Sequence, residues 1–140
     1  MIIWLASYPK SGNTFARAML SAYFFSKEGN FDFKYLKSIK QFPSKQLFKK
    51  MGITTNDSNE LLKNYIKSQE YINERAPLIL LKTHSSMFNI NNYKFTDLNN
   101  SLGVIYIVRD PRNVVTSFSN HYNLSLKESS NRMVSNSVLG

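Results

Sequence analysis

The sequence contains no cysteine, so disulfide bonds and thiolate metal sites are excluded. It also contains no apolar run approaching the roughly 20 residues of a membrane-spanning helix. Its first short apolar run is followed at once by Lys10, which argues against a signal peptide. We therefore expect a cytoplasmic chain without a membrane span.

Acidic residues are scarce as well. Nine Asp and Glu stand against 18 Lys and Arg, which gives a formal charge of +9 in 140 residues. Such an excess favours an anionic partner, such as a nucleotide, a nucleic acid, an acidic membrane or a sulfated glycan. Because the basic residues are spread along the chain instead of clustered, we expect no nucleic acid partner. The length and the 42% hydrophobic content fit one globular domain.

The most informative stretch is Tyr8-Pro9-Lys10-Ser11-Gly12-Asn13-Thr14. A short apolar strand, Ile2 to Ala6, precedes it, and a helical pattern from Phe15 to Phe25 follows. A tight loop between a strand and a helix presents backbone N–H groups and the positive end of the helix dipole to an anion. This pattern predicts a phosphate-binding loop.

The helical pattern after the loop has an apolar face at positions i, i+3, i+4 and i+7. We expect this face to pack on the sheet; it consists of Phe15, Ala18, Met19 and Ala22. The spacing of the loop differs from the common P-loop, in which the lysine follows the glycines. A plain strand-to-helix turn that happens to contain a lysine is the alternative interpretation.

Two further apolar runs predict strands that are buried on both faces. Leu78 to Leu81 leads into Lys82-Thr83-His84, and Gly103 to Val108 leads into Arg109. Asp110 is suited to cap a helix whose first residue is Pro111. Strands alternating with helices predict an α/β fold with a parallel sheet and helices on both faces. In such folds ligands bind beyond the carboxyl ends of the strands, where Lys10, His84 and Arg109 all lie.

The remaining segments indicate how this core is covered. Residues 26 to 76 are polar and lysine-rich, with one helix predicted from Ser44 to Met51 and a longer helical pattern after Asp57. The last stretch, Asn123 to Gly140, is polar and weakly patterned. Because no later strand follows, we expect the fold to be incomplete at the C-terminus.

Three motifs together resemble sulfotransferases that use 3′-phosphoadenosine 5′-phosphosulfate (PAPS). Tyr8 to Thr14 resembles their 5′-phosphosulfate loop, Leu81 to His84 their strand that ends in the catalytic histidine, and Tyr106 to Ser117 their 3′-phosphate motif. The resemblance extends over residues 1–123, apart from the variable segment 26–76. It implies a three-layer, P-loop NTPase-like fold.

The resemblance also implies roles for individual residues. His84 would be the catalytic base, and Lys10 would stabilise the departing phosphate. The donor PAPS would be bound by residues of one cleft: Lys10, Ser11, Gly12, Asn13, Thr14, Phe15, Arg109 and Ser117. The acceptor would be a small molecule or a glycan with a hydroxyl or an amine. Phosphoryl-like transfer depends on positioning and cations, and no metal site is expected.

Members of this family are longer than 140 residues. We therefore expect residues 1–140 to form a single sulfotransferase-like cofactor-binding domain, the N-terminal part of a longer domain. Two alternatives remain open at this point: a P-loop nucleotide kinase, and a truncated nucleotide-binding module without catalysis. An incomplete sheet would also favour association between copies of the chain.

Overall fold

The computed structural model describes residues 1–135. In this part of the chain four strands form one sheet in the order β2-β3-β1-β4, and every neighbouring pair is parallel. The strands are β1 (Ile2–Ser7), β2 (Lys40–Gln41), β3 (Ile79–Thr83) and β4 (Ser101–Ile107). The predicted α/β class with a parallel sheet is confirmed. The two-residue strand β2 was not predicted.

Six α-helices and one 3₁₀-helix accompany these strands within residues 1–135. The α-helices are α1 (Asn13–Phe25), α2 (Lys45–Lys50), α3 (Ser58–Lys63), α4 (Tyr65–Asn73), α5 (Pro111–Tyr122) and α6 (Leu126–Val134). The 3₁₀-helix comprises Phe33–Ser38. The helix predicted after Ser44 is confirmed, whereas the pattern after Asp57 forms two helices that meet at Asn64.

The core lies around Trp4 in the central strand. Its ring contacts Phe42 and Phe95 at centroid distances of 5.4 and 5.0 Å, and its Nε1 donates a hydrogen bond to Ser101 Oγ at 2.6 Å. The rings of Phe48 and Tyr65 extend this cluster into helices α2 and α4. Side chains alternate along a strand, so Leu5 lies on the opposite face, where it is also fully buried. The central strand is therefore covered on both faces, as its apolar sequence predicts.

Strand β4 differs from that expectation. Among residues 1–135 it pairs only with β1, and its apolar side chains are exposed on both faces: Val104 is 51% exposed on one face and Ile105 43% on the other. The prediction that this strand is buried on both faces is wrong for the part of the chain described, because neither a further strand nor a helix covers it there. Strand β3 is intermediate, with Leu81 buried and Leu78 exposed outside the strand.

The buried face of α1 also differs from the prediction. Phe15 is 71% exposed and Met19 59% exposed, whereas Ser21 and Ala22 are buried. Arg17 Nη2 donates hydrogen bonds to the backbone carbonyls of Leu36 and Ile39, so this polar side chain of the helix packs against the segment that follows it. The helix thus packs with a partly polar face, which an apolar pattern does not reveal.

The two helices of the C-terminal region, α5 and α6, each begin at a side-chain cap. The carboxylate of Asp110 accepts a hydrogen bond from the N–H of Arg112 at 2.9 Å, which confirms the predicted start of α5. Helix α6 was not predicted, although Ser125 and Glu128 form a capping box at its start. Residues 136–140, the end of the polar stretch, lie outside the described residues.

Candidate functional site

The loop between β1 and α1 has a backbone conformation suited to binding an anion. Lys10 and Gly12 both have positive φ angles, 67° and 104°. Non-glycine residues rarely adopt this region, and at Gly12 it explains the choice of glycine. A Cβ atom added to Gly12 would meet no atom within 4 Å, so the loop opens onto free space at this point.

The side chain of Asn13 holds this loop against the sheet. Its Nδ2 donates hydrogen bonds to the carbonyl oxygen of Leu5 and to Ser7 Oγ, both at 3.1 Å, and the residue is buried. The N–H of Ser11 closes the turn by donating to the carbonyl of Tyr8 at 3.2 Å. The loop is therefore tied to the central strand at two places.

Four consecutive backbone N–H groups of this loop remain without a hydrogen bond in the described part of the chain. They belong to Gly12, Asn13, Thr14 and Phe15, because the first bonded amide of the helix is that of Ala16, which donates to Gly12. Free amides at the start of a 13-residue helix carry partial positive charge. Together with Lys10, which forms none of the ion pairs among residues 1–135, they fit an anion such as a phosphate group.

His84 lies beside this loop, at the carboxyl end of β3. Its Nδ1 is 2.8 Å from the carbonyl oxygen of Ser7 and 3.2 Å from Ser7 Oγ. A carbonyl oxygen can only accept, so Nδ1 carries the proton in this bond. In the neutral ring Nε2 is then unprotonated and is able to accept a proton.

Burial lowers the pKa of His84, and the nearby positive charges of Lys82 and Arg17 lower this pKa further, against the opposing effect of the bond to Ser7. Burial also lowers the pKa of Lys82, with a further contribution from Arg17. The shift of His84 disfavours the protonated ring at neutral pH. The imidazole is thus kept in the form that a general base requires.

Arg109 joins the same site from β4. Its Nη1 donates a hydrogen bond of 3.0 Å to the carbonyl oxygen of Lys10, so the end of the edge strand contacts the loop. A cleft of about 200 Å³ lies here, and Tyr8, Ser11, Arg109 and Met133 are among its lining residues. Met133 belongs to α6, which the sequence did not predict. Ser117 is half-buried on α5, and its hydroxyl forms no hydrogen bond within residues 1–135.

Phe15 borders a second, larger depression. This depression has a volume of about 610 Å³ and a mostly apolar lining that includes Phe15, Met19 and Phe31. The exposed ring of Phe15 is therefore available for contact with a flat apolar group. Its position at the end of the anion loop places such a group next to a bound phosphate.

The structure thus brings Lys10, His84 and Arg109 to one edge of the sheet, as the strand ends predict. Sequence reasoning missed two residues of this site, Ser7 and Arg17. The sequence offered one indication of Arg17: it is the single charged residue in the helical stretch from Phe15 to Phe25. Arg112, by contrast, forms a bidentate ion pair with Asp110 and is largely exposed.

Among residues 1–135, no cluster of three or more His, Asp or Glu side chains is placed to hold a metal ion. Within the same residues, no helix has the length and apolar character needed to cross a membrane.

A comparison against protein families agrees with this fold. The family model of the sulfotransferase domain matches residues 2–138, nearly the whole sequence, and the chain belongs to this family. The resemblance drawn from the three motifs is confirmed. A search among curated proteins found no match. Family membership assigns the chain to enzymes that transfer sulfuryl groups.

Proposed function

We propose that this chain uses PAPS as the donor and transfers its sulfuryl group to a hydroxyl or amine of an acceptor. We also propose that residues 1–140 form a single cofactor-binding domain. The observation that carries the proposal is the combination of four unbonded amides, Gly12 to Phe15, with a histidine beside them whose Nε2 is free to accept a proton.

The donor has two anionic ends, and the site has cations at two places. The amides of the loop and the side chains of Lys10, Ser11 and Thr14 would hold the 5′-phosphosulfate. Arg109 and Ser117 would hold the 3′-phosphate, and Phe15 would contact the adenine. The free amides, the open space at Gly12 and the exposed Phe15 ring all fit such a molecule.

Bound PAPS would supply an activated sulfuryl group on a phosphate leaving group. His84 Nε2 would take the proton of the acceptor as the acceptor oxygen or nitrogen bonds to sulfur. Lys10 would stabilise the negative charge that develops on the phosphate oxygen as the bond from that oxygen to sulfur breaks. These roles match the demands of an in-line transfer whose charge spreads over peripheral oxygens.

Calorimetry with the desulfonated product, 3′-phosphoadenosine 5′-phosphate (PAP), tests the donor site. We expect PAP to bind about tenfold or more tightly than AMP, since a charge-assisted contact to the extra phosphate is worth about 1.5–3 kcal/mol. Arg109→Gln should reduce this preference. Arg112→Gln is the matched control, because Arg112 is already paired with Asp110.

Equal affinity for PAP and AMP would reject the 3′-phosphate site. Tight binding of ATP with Mg²⁺, together with phosphate transfer, would favour a P-loop kinase instead. Binding of PAP without transfer from PAPS to any acceptor would favour a non-catalytic nucleotide-binding module.

A further inference from the structure

Two cationic side chains, Arg17 and Lys82, hold the same short segment of the chain. Arg17 Nη2 donates hydrogen bonds to the carbonyls of Leu36 and Ile39, both at 2.8 Å. Lys82 Nζ donates to Gln41 Oε1 at 3.2 Å. Because Ile39 leads directly into β2, which pairs with β3 at Lys82, both cations lie at one corner of the sheet.

This corner adjoins the proposed base. Lys82 and His84 are two residues apart at the end of β3, so their side chains lie on the same face of the sheet. Lys82 pairs in register with Leu5 of β1, and register neighbours in a parallel sheet share a face, so both lie on the face opposite Trp4. Helix α1, which carries Arg17, begins at Asn13, whose side chain donates a hydrogen bond to the backbone carbonyl of Leu5. The positive charge of Arg17 lowers the pKa of both Lys82 and His84.

Neither cation has an anionic partner in the described part of the chain. The four ion pairs among residues 1–135 involve other residues. Both side chains are only partly exposed, and Arg17 Nε is buried without a hydrogen-bond partner there. Partly burying two like charges together is costly unless a negative charge compensates them. Carbonyl and amide oxygens satisfy individual N–H groups but do not neutralise the charges.

We propose that Arg17 and Lys82 form a subsite for an anionic group on the acceptor, so that the acceptor class is a hydroxyl or amine compound bearing a carboxylate, sulfate or phosphate near the reacting group. This inference rests on the proposed function, in which His84 receives the acceptor's proton. The anion would lie beside the base and apart from the donor cations, which are Lys10 and Arg109. The net charge of +9 is consistent with an anionic acceptor as well as an anionic donor.

A matched pair of sugars tests the subsite by binding alone. 4-Nitrophenyl β-glucuronide and 4-nitrophenyl β-glucoside differ in one group, a carboxylate in place of a hydroxymethyl. Binding is measured by calorimetry at low salt, with and without saturating PAP. We expect the glucuronide to bind about tenfold or more tightly, since each hydrogen bond to a charged group contributes about 1.5–3 kcal/mol.

Three variants distinguish the subsite from a structural clamp. Lys82→Gln and Arg17→Gln should each bring the ratio of the affinities for glucuronide and glucoside close to one. Arg17→Lys, which keeps the positive charge, should retain part of the preference for the glucuronide. Lys127→Gln removes one charge from α6 and should leave the preference unchanged. A far-ultraviolet circular dichroism spectrum shows whether each variant is folded; Lys82→Gln alone decides the question if Arg17→Gln does not fold.

Several outcomes would overturn the subsite. They are equal affinity for the two sugars, no binding of either, and a preference that persists in Lys82→Gln. Failure of the subsite can be told apart from failure of the donor site. Loss of PAP binding contradicts the donor site, whereas the preference between the two sugars is also measured without nucleotide.

Discussion

The carbonyl oxygen of Ser7 accepts a hydrogen bond of 2.8 Å from Nδ1 of His84. This contact arises because β1 and β3 are parallel neighbours whose register pairs Ala6 with Thr83, which places the two following residues side by side. Since Ser7 Oγ also accepts from Asn13, the same residue links the histidine to the anion loop. The bond determines which ring nitrogen is free to accept a proton.

Replacing His84 and Lys10 should separate the proposed roles of base and leaving-group stabiliser. With PAPS and an acceptor that the wild-type protein sulfonates, His84→Ala and Lys10→Met should each lower kcat about a hundredfold or more. His84→Ala should spare PAP binding, because the imidazole acts on the acceptor, whereas Lys10→Met should also weaken it. Steady-state kinetics and calorimetry measure the two effects. Wild-type turnover of His84→Ala at neutral pH would show that the base assignment is wrong.

The lowered pKa of His84 predicts how turnover depends on pH. The ring must be neutral to accept a proton, so kcat should be constant near neutrality and fall only below the ordinary histidine value of about 6.5. A pH profile of kcat measures this acid limb. His121→Gln, at an exposed position of α5, is the matched control and should leave the fall of kcat at low pH unchanged. An acid limb centred above neutrality would contradict the lowered pKa.

The same shift has a consequence for stability. A histidine with a lowered pKa in the folded state binds protons more readily when unfolded, so the free energy of unfolding should decrease as pH falls through about 6.5 toward the folded pKa. Above that range the contribution of His84 is constant. Urea unfolding at several pH values should show this decrease in the wild type and a smaller decrease in His84→Gln. Identical pH dependence in the two proteins would exclude the effect.

Asn13 should matter for stability because it ties the loop to the sheet. Asn13→Ala removes two buried hydrogen bonds and leaves the Leu5 carbonyl without that donor, so the free energy of unfolding should fall by about 1–3 kcal/mol. Asn120→Ala on the exposed face of α5 is the control and should change it by no more than about 0.5 kcal/mol. Urea unfolding measures both. A neutral Asn13→Ala variant would mean that the loop is held by its backbone alone.

The exposed edge strand predicts association of the isolated 140-residue chain. Strand β4 offers unpaired backbone groups and apolar side chains such as Val104, a combination that promotes edge-to-edge pairing. We expect oligomers that grow with concentration in sedimentation velocity, and fewer of them for Val104→Lys. Leu98→Lys, at a residue 90% exposed in the loop before β4, should leave association unchanged.

A stable monomer would contradict the expected association. If residues 1–140 sediment as a monomer and unfold cooperatively with an ordinary stability of about 5–15 kcal/mol, the open edge does not limit the fold. Such a result would favour a chain that folds alone and serves as a minimal nucleotide binder.

The sequence by itself determined the local elements and the residue types of the site. Loop, strands and caps follow from short-range rules: apolar runs predicted β1 and β4, Asp110 and Pro111 predicted the start of α5, and Lys10, His84 and Arg109 follow strand ends that must meet in a parallel sheet. The three motifs therefore predicted the family without any tertiary contact.

Only the tertiary structure decided which faces are buried and which nitrogen of His84 is free. The same apolar character gives a buried β1 and an exposed β4, because burial depends on neighbours brought from elsewhere in the chain and not on the run itself. Likewise, Arg17 of α1 donates hydrogen bonds to carbonyls that lie 19 and 22 residues further along, a contact that no helical period encodes. The proton on His84 is placed by Ser7, 77 residues away, through the register of two strands.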